Sequence, residues 1–172
     1  DMLELKAIEM IAANLKNAVD NGTDPVAREA MSQAQYIAGM GFSNVGLGIV
    51  HSMAHPLGAH YDTPHGVANA LLLPYVMKYN AESPAAPKYL EIAKAMGVDT
   101  TGMIVEEGVE AAVEAVKQLS LSIGIPQKLN EIGVRKEDLH QLAIDAFNDV
   151  CTGGNPRPTS IEDIEALYNE AY

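Results

Sequence analysis

The sequence predicts an all-α protein. Apolar residues recur at three- and four-residue spacing in most segments, short β-branched runs with period-two alternation are nearly absent, and helix start and stop signals punctuate the chain. Composition agrees. With no Trp and 5% aromatics, the core must be built from Ala, Leu, Ile, Val and Met, which suits helix-on-helix packing. A length of 172 residues is enough for one well-cored domain or two small ones.

The elements follow from local signals. Leu5, Ile8, Ile11, Ala12 and Leu15 share one face of a helix over 3–19, stopped by Asn21-Gly22. Asp24-Pro25 is an N-cap followed by proline at the first helical position, starting a second helix that runs to about Ala38. Gly39, Gly41, Phe42, Ser43 and Asn44 are expected to form a loop, with Ser43 or Asn44 capping a third helix that carries His51 and His55 and contains Gly46 and Gly48. Thr63-Pro64 repeats the cap-plus-proline device and starts an apolar helix through Leu71, Leu72 and Leu73, which Pro74 should kink or restart.

After a proline-rich loop at 83–87, helices are expected at about 87–96, closed by Gly97, at about 103–123, closed by Gly124, and at about 136–149. Ser160 and Asp163 form an acidic capping box for the last helix. The chain opens in mid-helix pattern at Asp1-Met2-Leu3-Glu4-Leu5, without cap or turn chemistry. The expectation is a segment cut from a longer protein.

A formal charge of −12 argues against a nucleic-acid surface, which needs a Lys/Arg patch. No polybasic tract or long apolar run supports membrane attachment or spanning. Cys151 is the single cysteine, so no intrachain disulfide is available, and a reducing, cytoplasmic setting is expected.

Four of the five histidines lie between positions 51 and 65: His51, His55, His60 and His65. Imidazole is the commonest protein metal ligand, and its neutral form is the one that binds. His51 and His55 would share a helix face. Ser52 stands where a zinc protease would need its general-base Glu, so that reading fails at its mechanistic residue. The remaining geometry pairs His51, on one helix, with His65 at the start of the next, the chain being broken at Pro56 and Pro64. Two histidines fall short of a full ligand set, so the residues by themselves indicate an incomplete metal site or a packed helix corner. His60 is expected to be peripheral and His140 to face solvent.

The run Gly46-Leu47-Gly48-Ile49-Val50-His51-Ser52-Met53-Ala54-His55-Pro56-Leu57-Gly58, continuing through Pro64-His65-Gly66-Val67-Ala68-Asn69, resembles the signature of the iron-containing (group III) alcohol dehydrogenases. Gly39-Met40-Gly41-Phe42-Ser43-Asn44, Val134–Asp138 and Asp149–Pro156 resemble the branch of that family acting on lactaldehyde and 1,2-propanediol. The resemblance implies the C-terminal helical half of a dehydroquinate synthase-like fold, one helical metal-binding domain over 1–172. The dinucleotide-binding α/β half would precede it.

It further implies a metal, Fe(II) or alternatively zinc, held by an Asp and a His upstream of Asp1 together with His51 and His65. His55 matches a histidine beside the nicotinamide and the reacting carbon, hence a catalytic and cofactor-binding position. Phe42 and Cys151 match residues lining the substrate pocket; read from the residues alone, Phe42 is equally a core residue at a helix corner and Cys151 a small buried hydrophobe. The implied partners are a small alcohol or aldehyde, NAD, the N-terminal half and a second copy in a homodimer. Two alternatives stay open: a glycerol dehydrogenase- or maleylacetate reductase-like enzyme of the same superfamily, and a non-catalytic helical interaction domain.

Overall fold

The computed structural model describes residues 1–172 and contains eight α-helices, three short 3-10 turns and no strand. The chain divides into two compact units, residues 1–46 with 84–123, and residues 47–83 with 124–172.

The first unit contains α1 (Met2–Asp20), α2 (Pro25–Val45), α5 (Lys88–Ala95) and α6 (Val105–Ser122). α1 packs on α2 and α5, and α5 on α6. Its buried positions are mostly small: Ala7, Ala27, Ala34, Gly41, Ala93, Gly108 and Ala112, with Tyr89 the one large side chain. Small residues let helix backbones approach closely; a Cβ at Gly108 would lie 3.3 Å from the Leu90 Cα. Asp24 caps α2 as expected, its carboxylate accepting the Val26 and Ala27 N–H groups.

α2 corrects the expected loop at 39–44. The helix runs on to Val45, so Phe42 is helical and exposed, and neither Ser43 nor Asn44 caps the next helix. Both donate backwards instead, Ser43 Oγ to the Gly39 carbonyl and Asn44 Nδ2 to the Met40 carbonyl, four residues earlier. The helix ends at Gly46, whose φ of +80° is a conformation that side-chain-bearing residues rarely adopt.

The second unit contains α3 (Ile49–Tyr61), α4 (His65–Asn80), α7 (Leu139–Phe147) and α8 (Ile161–Ala171). α3 packs on α4 and α7, and α8 on α4 and α7. Ile49, Met53, Leu57, Leu72, Leu129, Leu142, Ile164 and Tyr168 belong to one buried cluster. Full burial of one such aliphatic side chain contributes about 1.5–3 kcal/mol. α7 is shorter than expected at its start, because residues 136–138 form a 3-10 turn.

Pro56 does not break its helix, and Pro74 does not restart its own. α4 continues through Pro74 and α3 through Pro56. Pro56 has no N–H to give to the Ser52 carbonyl one turn earlier, but its ring is buried; separately, the Tyr168 hydroxyl donates to the neighbouring Met53 carbonyl at 2.6 Å. The chain reverses at Asp62, which takes the left-handed conformation at φ 56°, and His65 becomes the first residue of α4, with Pro64 rather than Thr63 at the cap position.

The capping box of α8 forms as read: the Asp163 N–H donates to Ser160 Oγ, and the Ser160 N–H donates to Asp163 Oδ2. Hydrogen bonds from the Ser160 backbone and hydroxyl hold the Asp163 carboxyl below the usual carboxylate range, against burial. A carboxyl depressed in the folded state stabilises it above the unfolded pKa and loses that contribution as pH falls through the folded one. Asp163→Asn should therefore lower stability by about 1 kcal/mol near neutral pH, with the difference from wild type vanishing in acid thermal melts. Tyr168→Phe strips the Met53 carbonyl of a buried donor and should cost about 1–3 kcal/mol in urea unfolding.

Candidate metal centre

α3 positions two of the histidines, and its own start is set from far along the chain. Gly48 at its N-cap has no side chain to offer, and Asn155 Oδ1 accepts the Ile49 N–H across 106 residues. A Cβ at Gly48 would approach that oxygen to 3.0 Å. Asn155 is itself paired with Asn80 in both directions, at 2.8 and 3.0 Å. One turn apart on α3, His51 and His55 have ring centroids 6.3 Å apart.

The reversal at Asp62 then brings the first residue of α4 back onto the same face. The His65 ring lies 5.2 Å from that of His51 and stacks at 5.3 Å on that of His55. All three imidazoles can place a ring nitrogen within 4.8 Å of the others. His51 and His65, fourteen residues apart in sequence, therefore converge, and His55 joins them.

Burial first, then the neighbouring imidazoles of His65 and His55, holds the His51 imidazole below its ordinary pKa, against the pull of Asp149. A site that disfavours imidazolium favours the lone pair a metal needs. Asn69 donates to the His65 carbonyl at 2.9 Å and lies 3.1 Å from its Nε2, leaving its own Oδ1 buried without a protein partner. Three imidazoles beside an unmatched buried acceptor fit a centre that another group completes. The donor set suits iron or zinc.

The loop after α7 closes one side of the cluster. Asp149 Oδ2 accepts from His55 Nδ1 at 2.8 Å, and its Oδ1 accepts the Cys151 N–H, also at 2.8 Å. Burial raises the Asp149 pKa, but the hydrogen bonds from Cys151 and His55 outweigh it and leave the carboxyl below its usual range. Burial and the Asp149 charge push the Cys151 thiol up, so it stands as a neutral polarizable wall and not as a thiolate. Thr152 Oγ1 lies 2.8 Å from the buried Ser52 hydroxyl and 2.7 Å from the Ala146 carbonyl. With a single proton it donates to the carbonyl and accepts from Ser52.

The other histidines stand apart from this cluster: His60 Nε2 pairs with Asp145 at 2.8 Å and the exposed His140 with Glu165 at 2.7 Å. Phe42 belongs to the first unit, on α2. Sequence reasoning missed Asp149, Asn155, Ser52 and Thr152. Asp149 precedes Cys151 by two residues, the spacing of an Asx turn, and this was the one local signal available. Its pairing with His55, 94 residues away, leaves no trace in a single sequence.

An all-helical chain with a histidine-lined centre of this kind defines a class. Residues 1–172 match the description "Fe-containing alcohol dehydrogenase family, C-terminal", and the chain belongs to that family. It is 58% identical over 172 residues to the lactaldehyde reductase of Escherichia coli (strain K12), covering 100% of this chain and 44% of that protein. It is 43% identical over 172 residues to the 1,3-propanediol dehydrogenase of Klebsiella pneumoniae, again covering 100% of this chain and 44% of that one. The crystal structure of a 1,3-propanediol oxidoreductase superposes with a TM-score of 0.97 at 43% identity, covering 100% of this chain and 45% of that one. An alcohol dehydrogenase from Oenococcus oeni gives 0.94 at 42% identity, over 98% of this chain and 44% of that one. The chain thus spans under half the length of these relatives. No helix is long and apolar enough to cross a membrane.

The loop geometry separates two adjacent glycines. A Cβ at Gly154 would meet the Leu47 carbonyl oxygen at 2.2 Å, whereas one at Gly153 would meet nothing within 4 Å. Gly154→Ala should cost about 1–3 kcal/mol in denaturant unfolding through overpacking. Gly153→Ala should stay within about 0.5 kcal/mol of wild type. Equal effects would mean that the loop does not seat on Leu47 as described.

Proposed function

We propose that this chain is the C-terminal, metal-binding half of an NAD-linked alcohol dehydrogenase that interconverts small alcohols or diols and their aldehydes, with 1,2-propanediol and lactaldehyde as the favoured pair. The observation that carries this reading is the convergence of His51, His55 and His65 to within 4.8 Å between ligand atoms. Identity to a lactaldehyde reductase supports the choice of substrate class.

In this reading His51 and His65 hold the metal, Fe(II) with zinc as the alternative, and the remaining ligands come from the preceding α/β half, which also binds NAD. Two such chains form a cytoplasmic homodimer. Bound there, a divalent metal supplies Lewis acidity that lowers the pKa of the alcohol hydroxyl and polarises the aldehyde carbonyl.

The chain's own residues do the rest. His51, half-buried on α3, gives a fixed ligand direction. His65, as the first residue of α4, brings a second imidazole from another direction. His55 accepts the hydroxyl proton as the alcohol is oxidised and returns it in the reductive direction. Cys151 places an uncharged thiol beside His55, where it would face the substrate, and Phe42, on α2 of the first unit, is proposed as a further substrate contact.

The test is metal content and turnover with 1,2-propanediol in the full-length enzyme. His51→Ala and His65→Ala should each lose metal and activity together. His55→Ala should keep its metal and lose about 10²–10⁴-fold in kcat, the range of a general acid–base group. Loss of metal in His55→Ala with retention in His65→Ala would reverse the two roles.

A further inference from the structure

A carboxylate whose two oxygens have different fixed partners can dictate the state of each. Asp149 is such a group, and nothing in the proposed chemistry yet uses it. Its side chain is only 19% exposed. Oδ1 takes the Cys151 N–H and Oδ2 faces His55 Nδ1, both at 2.8 Å. The loop that carries it is held by the Ser52–Thr152–Ala146 chain of hydrogen bonds and by Asn155 on α3. These contacts hold the acceptor in place beside His55.

We propose that Asp149 is a positioning residue that fixes the tautomer and ring orientation of His55. An ionised carboxylate only accepts, so the His55 nitrogen facing it carries the proton. In the neutral ring the lone pair is then on Nε2. The His51 and His65 rings lie 6.3 and 5.3 Å from that of His55, so the ring pinned by Asp149 is the one stacked into the histidine cluster. Taking the assignment of His55 as proton acceptor from the proposed function, the lone pair on Nε2 is what receives the hydroxyl proton. The same carboxylate, through its other oxygen, sets the backbone of Cys151. One side chain thus places both the proton acceptor and the pocket wall.

Asp149→Asn in the full-length enzyme isolates this role. The amide has one oxygen, which the Cys151 N–H retains, leaving the NH2 facing His55 Nδ1. A donor there demands a lone pair on Nδ1 and drives the proton to Nε2. We expect kcat with 1,2-propanediol to fall by about a hundredfold, the low end of general acid–base contributions, with KM and metal content within about twofold of wild type, the pattern of an interaction made in the transition state. Long-range 1H–15N imidazole spectra of metal-free, 15N-histidine-labelled enzyme, assigned by comparison with His55→Ala, should show His55 as Nδ1–H in wild type and Nε2–H in the variant.

An unchanged kcat in Asp149→Asn would overturn the proposal. Metal loss in step with activity would do the same, since Asp149 would then act as a ligand with His55 and Cys151. The wild-type spectrum decides independently of how the variant folds, because an Nε2–H tautomer there sinks the assignment. Should His55→Ala leave kcat unaltered, the catalytic reading of His55 falls, and the tautomer measurement still decides what Asp149 does to that ring.

Discussion

The Asn155 side chain reaches α3 from 106 residues away, and the geometry of the histidine cluster depends on that contact. Its Oδ1 accepts both the Ile49 N–H and an Asn80 N–H, while its Nδ2 donates to Asn80 Oδ1 and the Arg157 carbonyl. The start of α3, the end of α4 and the loop after α7 are thereby tied at one polar point. Gly48 and Gly154 exist in that neighbourhood to leave room, the first for the Asn155 amide and the second for the Leu47 carbonyl. Displacing Asn155 would shift the origin of the helix carrying His51 and His55, and with it the loop carrying Asp149 and Cys151.

Further along, α3 is registered against the region of α7 by three polar pairs. His55 meets Asp149, His60 meets Asp145 and the Tyr61 hydroxyl donates to Asp138, so the partners descend as α3 ascends. Several of these groups are a third or more exposed, and exposed pairs contribute only about 0–1 kcal/mol each. Apolar burial around Met53, Leu57 and Leu142 supplies the stability instead. What the pairs add is register: a slip of α3 by one residue would separate all three at once.

The fold class was legible because helix signals are local. Asp24 and Ser160 cap the helices they were expected to cap, since an N-cap needs only its own side chain and the next three residues. The errors occurred where a distant contact overrides the local rule. Ser43 and Asn44 have the chemistry of caps yet bond back to their own helix, and Pro56 has the chemistry of a breaker yet lies buried inside α3. The site divides the same way. Histidine density marked His51, His55 and His65, whereas Asp149, Asn155 and Ser52 act through partners some hundred positions off, which spacing cannot reveal.

The depth gradient across the cluster gives the arrangement its physical logic. Beneath the histidines, Ile49, Ser52 and Met53 are fully buried, so the face of α3 opposite His51 and His55 is packed against the core. His51 is half-buried on that floor, while His55 and His65 are exposed. A packed floor beneath the three rings is what fixes their directions relative to one another. The Asp149 contact extends that logic to His55, whose ring is held on one side by the stacked His65 and on the other by the carboxylate.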